Sequence, residues 1–329
     1  MGSSYVEKAR EWAREADNTA DYAGILEQIE YLAHILFHEY KPSKAAGEKP
    51  ILDRLTDWLN CAELECDQKT LFRLVPELLF VGSQEFDCLY QAAFNGPIAR
   101  WLLDQEGLQL DASRTPKRLR KAEQTTWFCA ITDSMQIAEF YHLNHIEGVD
   151  VRPVWHTLRK FLTEDAVQKL DAHMRTQGFR RIVLLEDFVG TGTQMEGAVR
   201  FAAALPGRFP ILLCPLVICP KGAEKARDLQ REIGHLTFSP VFELPESAFL
   251  SSLPVEQETG FMKELREAVI RLQPRLINPK CKYGPFGFRR TGALVVLHTN
   301  CPNNTLPIIH HLSSGGDPWT PLFRRSERT

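Results

Sequence analysis

RRIVLLEDFVGTGTQMEGAVRFAAAL, Arg180–Leu205, is the stretch whose reading decides the fold. Ile182–Leu185 is an apolar run with the length and β-branched content of a buried strand. Glu186 and Asp187 stand at its mouth, Gly190 and Gly192 mark a turn, and apolar residues then recur at helical spacing from Met195. Strand, turn and helix in that order form the repeating step of an α/β sheet, and such sheets bind ligands outside the carboxyl ends of their strands.

The residue types in this turn point to a particular chemistry. Glycines allow backbone conformations that aim several N–H groups into one concavity, and a helix start near Gln194 adds its positive end. Val189, Gly190, Thr191, Gly192 and Thr193 are the candidate phosphate-binding residues, the two threonines adding hydroxyl donors. Glu186 and Asp187 can accept hydrogen bonds from vicinal hydroxyls, or help to hold a Mg²⁺ bridged to a phosphorylated sugar. Together these groups suit a 5-phosphoribosyl ligand. The segment lacks the G-x-x-x-x-G-K-[ST] of a Walker loop and the G-x-G-x-x-G of a dinucleotide fold. The plain alternative is a strand-to-helix turn with incidental acids.

Working outward, TTWFCAIT (Thr125–Thr132) predicts a strand, followed by a helix capped by Asp133 or Ser134. ILLCPLVIC, GAEKARDLQREIG and LTFSPVFEL predict strand, helix and strand, and GALVVLHTN (Gly292–Asn300) a further strand joined to the core after a helix around 260–272. The expected fold class is α/β, with a mainly parallel, doubly wound sheet preceded by helices. Three regions are expected: residues 1–50, a helical extension and linker; 51–125, a helical block in which Ser83 caps a helix; and 126–329, the α/β domain. His34 and His38 lie one turn apart without an H-E-x-x-H string and fit an ordinary helix face.

The chain has 329 residues, a net charge of −3 and 25% charged residues, so any nucleic-acid contact needs a local patch. SRTPKRLRK (Ser113–Lys121) is such a patch, with Arg114–Lys121 as candidate phosphate contacts or, more simply, a solvated helix start. No apolar run is long enough to span a bilayer and no signal peptide opens the chain, so a cytoplasmic location is expected. The eight cysteines form no C-x-x-C pair and several sit in apolar runs, as buried free thiols do; no metal site is expected from them.

VLLEDFVGTGTQ resembles the 5-phosphoribosyl-1-pyrophosphate (PRPP) motif of type I phosphoribosyltransferases. Asp187–Gln194 is closer still to the D-F-[IV]-G-[ST]-G-x-Q loop of a phosphoribosyltransferase-like family found in bacterial conflict and antiviral systems. Leu55–Phe86 is similar to that family's helical opening segment, and NCPNNTLPIIHH…DPWTPLFRR to its closing one, with Asn303, Asn304, Trp319 and Arg324 in place. The resemblance implies that Glu186 and Asp187 face ribose hydroxyls in a catalytic role and that 189–193 hold the 5-phosphate. It places Thr132, Asp133 and Ser134 where the pyrophosphate loop stands, although a capped helix start accounts for Asp133 and Ser134 as well. Arg289, Arg290, Asn303 and Asn304 are candidate substrate contacts, against the ordinary alternatives of a solvated arginine pair and a turn or cap. Trp319 is expected to anchor the tail.

Residues 150–180 read as helices, without the flexible hairpin that usually covers PRPP and excludes water. Two functions follow from the resemblance. One is a defence effector that cleaves or transfers at ribose C1 of PRPP, a nucleotide or a nucleic-acid end, and is held silent by protein partners. The other is a module that senses such a ligand without chemistry. A salvage enzyme fits the additional helices poorly.

Overall fold

The computed structural model describes residues 3–15, 20–42, 49–109, 114–148, 152–153, 164–252, 260–276, 283–313 and 318–326, side chains of 164–166 excepted. From the N-terminus run α1 (Tyr5–Trp12), α2 (Tyr22–Ile35), α3 (Ile51–Asn60), α4 (Glu65–Leu74) and β1 (Leu79–Val81). Next come α5 (Ser83–Ala93), a π-helical turn (Phe94–Ile98), α6 (Ala99–Glu106), α7 (Thr115–Gln124), β2 (Thr126–Ala130) and α8 (Ile137–Leu143). They are followed by α9 (Glu164–Thr176), β3 (Arg181–Val189), α10 (Thr193–Ala203), β4 (Ile211–Ile218), α11 (Pro220–Glu232), β5 (Leu236–Phe238) and β6 (Phe242–Glu243). The chain ends with α12 (Phe261–Leu276), β7 (Val295–Leu297) and α13 (Pro307–His310).

Two compact units result: residues 1–83 with 246–329, and residues 84–245. They are drawn along other lines than the division at 50 and 125 expected from the sequence. In the first unit the N-terminal helices are part of the core. Trp12, Ile29 and Phe37 share one apolar cluster with Trp58, Phe72 and Phe323. Trp319 is wholly buried, and its indole N–H donates to the Ile308 carbonyl at 3.0 Å. The Trp58 indole donates to the same carbonyl at 2.7 Å, so two large side chains fasten one turn of α13.

Three expectations change in this unit. Leu79–Val81 is a strand inside the expected helical block, and GALVVLHTN pairs with it in parallel, Leu79↔Val295 to Val81↔Leu297, in a separate two-stranded sheet. Ser83 opens α5, but its N–H donates to the Glu39 carboxylate at 2.6 Å, so the cap is supplied from a distant part of the sequence. His34 and His38 are exposed, as expected.

The second unit holds the sheet β2-β3-β4-β5, with β6 also on β4 and every pairing parallel. Strands buried on both faces are apolar throughout, and β4 is buried at every position. On one face Trp127, Ile182, Leu184 and Leu213 pack with Leu170 and Met174 of α9, Ala198 of α10 and Ala226 of α11. On the other, Phe128 meets Phe94 of the π turn and Phe140 and Tyr141 of α8. Helices on both faces give the expected parallel α/β layering.

The expected strand LTFSPVFEL is split into β5 and β6. The Ser239 and Val241 N–H groups donate to Leu213 and Pro215 of β4, so Pro215, which has no N–H, turns toward the place where the edge breaks. Among the described cysteines no disulfide forms, and Cys129, Cys214, Cys219 and Cys301 are buried as expected; Cys66 and Cys88 are exposed. No described helix is long and apolar enough to cross a membrane.

Candidate functional site

Glu186 and Asp187 lie within β3, not after it, and the ladder is irregular there. The Leu185 carbonyl accepts from Ile131 N–H at 2.9 Å, facing β2, while the Val189 carbonyl accepts from Cys219 N–H at 2.8 Å, facing the end of β4. Residues four apart in a regular strand face the same neighbour, so the alternation inverts once across Glu186–Phe188. β4 inverts in step: the Pro215 and Ile218 carbonyls, three apart, both accept from the β6 side. The register Glu186↔Pro215 and Phe188↔Val217 is thereby kept. Such local departures re-aim side chains at sheet ends.

The consequence is that two consecutive carboxylates reach one loop. Thr132 N–H donates to Glu186 Oε2 at 2.9 Å and its hydroxyl to Oε1 at 2.6 Å. Ser134 Oγ lies 2.7 Å from Thr132 Oγ1 and donates to Asp187 Oδ1 at 2.9 Å. Asp187 Oδ1 also accepts from Phe188 N–H at 2.8 Å. Both acids are 4% exposed, and their buried oxygens are answered by hydrogen-bond donors from Thr132, Ser134 and Phe188.

Thr132 and Ser134 are thus brought to the acids. The expected cap is not: α8 starts at Ile137 behind Gln136, with no side-chain cap, and Asp133 is exposed. Tyr90 of α5 belongs to this neighbourhood and carries no local sequence signal. Burial, with the Asp187 charge adding to it, raises its phenol above the ordinary value.

The glycine loop continues from β3 to α10. Gly192, at φ +75°, is the N-cap of α10 and provides no side-chain cap, so first-turn N–H groups are left to solvent or to an anion beside the exposed Thr193. The Thr191 and Thr193 hydroxyl oxygens are 3.5 Å apart. Val189 is buried, and Gly190 and Thr191 are partly exposed.

Gly222, in the first turn of α11, fixes how close that helix comes to the loop. A Cβ there would stand 2.7 Å from the Gly190 carbonyl oxygen and 3.0 Å from Val189 Cγ1. Gly222→Ala is expected to push the loop aside, destabilising the protein by about 1–3 kcal/mol and weakening binding of inorganic phosphate. Thermal denaturation and phosphate titration of the variant check both effects. Lys225, one turn on, borders Gly192 with its aliphatic chain and pairs with Glu196.

Arg289, Arg290, Asn303 and Asn304 belong to the first unit. The two arginines are exposed at φ 52° and 55°, a left-handed pair outside glycine. The Asn303 carbonyl accepts from Phe288 N–H at 2.8 Å, and the buried Asn304 side chain donates to Thr291 Oγ1 at 2.9 Å. The interval 150–180 lies partly outside the described residues; 164–176 is helix, as expected.

The model of the PRTase-CE family matches residues 55–325 of this chain. Searches of curated proteins and of solved structures find no match.

Proposed function

The chain belongs to the PRTase-CE family, which is phosphoribosyltransferase-like, and from that premise we propose that it is an effector acting on a 5-phosphoribosyl ligand. PRPP, a nucleotide or a nucleic-acid end has the required group. The 5-phosphate sits at the uncapped start of α10 on Gly190–Thr193, and the ribose hydroxyls face Glu186 and Asp187. Chemistry at ribose C1 is cleavage or transfer, with the Thr132–Ser134 loop beside the leaving group. The observation that carries this is the joining of that loop to both acids through Thr132 and Ser134.

A ligand-bridged Mg²⁺ fits the donor set in kind, since carboxylate oxygens suit a hard cation. Among the described residues no group of three or more acidic, histidine or cysteine side chains is arranged to hold a metal. The cation therefore takes its remaining ligands from the phosphorylated sugar and water. The biological setting we propose is antiviral defence, with protein partners holding the effector silent.

A second function, sensing without chemistry, is favoured by one observation: each acid is already engaged by the loop and only 4% exposed. Incubation of the protein with Mg²⁺ and PRPP, nucleotides, NAD or short oligonucleotides, followed by mass spectrometry, separates the two. Turnover that vanishes in Asp187→Ala supports the effector. An intact ligand retained by the wild type and lost by the variant supports the sensor.

A further inference from the structure

α7 runs into the start of β2, so its end lies at the opposite end of the parallel strands from the acids and the glycine loop. Its buried and part-buried positions, Thr115, Leu119, Ala122 and Glu123, define an inner side. At 100° per residue, Arg114, Lys117, Arg118 and Lys121 fall within an arc of about 100° on the other side, with Arg120 at its flank, and the stripe is about 10 Å long. All five are exposed.

These charges are poorly neutralised. Among the described residues Arg114, Lys117 and Lys121 form no ion pair, and Arg120 acts on Glu123 without forming one. Glu106 is shared between Arg118, at 3.6 Å, and the buried Arg181. Arg180, exposed beside the end of α7, where its N–H donates to the Thr125 carbonyl, also acts on Glu106. The one acid on α7, Glu123, is partly buried, and burial raises its pKa above the ordinary value. A chain of net charge −3 thus carries a local stripe of five cations.

We propose that the outer face of α7, Arg114, Lys117, Arg118 and Lys121 with Arg120 and Arg180 at its border, is a docking surface for the phosphate backbone of a nucleic-acid strand. Cations placed one helical turn apart along a line complement a polymer whose charges recur at regular spacing, and each contact releases condensed counterions. An anionic membrane is the poorer match, since α7 exposes no large apolar side chain to enter the headgroup layer. The surface is independent of the ligand site, so a strand bound here is held while the far end of the strands remains open to its own ligand.

The test is fluorescence anisotropy of the full chain with labelled 20-nucleotide single-stranded DNA, single-stranded RNA and duplex DNA, from 50 to 200 mM salt. Four phosphate contacts predict a slope of log K against log salt of about −3 for a single strand, a fall of about 50-fold over that range. Lys117→Glu with Lys121→Glu is expected to cut affinity at 50 mM at least 10-fold, while Lys117→Arg with Lys121→Arg retains it. The oligonucleotides carry 5′-hydroxyl ends, and excess PRPP is expected not to displace them, so this result stands apart from the fate of the ligand site. The three oligonucleotides decide which form of phosphate backbone is preferred. Absence of binding at 50 mM, or binding indifferent to the double charge reversal, overturns the proposal. So does lysine-dependent binding confined to phosphatidylserine vesicles or to an acidic peptide.

Discussion

Asp187→Ala is expected to lower affinity for a 5-phosphoribosyl ligand by 100-fold or more. Hydrogen bonds to a charged acceptor contribute about 1.5–3 kcal/mol each, and two ribose hydroxyls on one carboxylate bring the loss to that range. The substitution also leaves Phe188 N–H and Ser134 Oγ without the acceptor they now share. A fall in stability of about 1–3 kcal/mol should accompany it. Ser134→Ala makes a sharp comparison. If the ribose takes the place of Ser134 on Asp187, removing that hydroxyl removes a competitor, and affinity should change by less than about threefold. Calorimetric titration of both variants with PRPP checks this, alongside thermal denaturation. Equal losses in the two variants would mean that Asp187 positions the loop and does not hold the ligand.

Arg152→Ala is expected to destabilise the second unit by about 3–5 kcal/mol. Arg152 is 5% exposed, and its guanidinium lies 5.7, 5.8 and 5.6 Å from the ring centroids of Phe128, Tyr141 and Phe179. It donates to the carbonyls of Thr126 and Gly148, each at 3.0 Å, and of Glu147 and Glu123. One side chain thereby ties the start of β2 to the end of the α8 segment. Truncation leaves a cavity between three rings and buried carbonyls with lost partners. Arg152→Lys should rescue little, because an ammonium has neither the planar face nor the fork of donors that reaches several carbonyls. Chemical denaturation of the two variants measures the effect. A loss under 1 kcal/mol in Arg152→Ala would show that the rings close over the gap.

Much of the fold was legible locally. Runs such as ILLCPLVIC and RIVLL are buried strands because parallel sheets covered on both faces need continuous apolar stretches, and the sequence writes those without long-range information. The glycine at 192 was legible for a similar reason: a left-handed residue opening a helix has to be small, and its conformation belongs to the turn itself. Order and identity of the acids and the loop were likewise set by adjacent residues.

What neighbours do not encode was left to the tertiary structure. β1 is three residues long and has no pattern of its own; it is a strand because β7, far along the chain, supplies its partner. Ser83 looked like a cap, yet its N–H is answered by Glu39 from across the first unit. Gly222 reads as an ordinary helix residue until the Gly190 carbonyl is found against it. Asp133 and Ser134 had a local explanation as a helix start, and only the irregular strand carrying Glu186 and Asp187 brought Thr132 and Ser134 to the acids. The sequence by itself determined the strand, the loop and the chemistry that the loop can offer, because those depend on contiguous residues. Tertiary structure decided which distant groups complete the site, because hydrogen bonds and close backbone approach act through space and not along the chain.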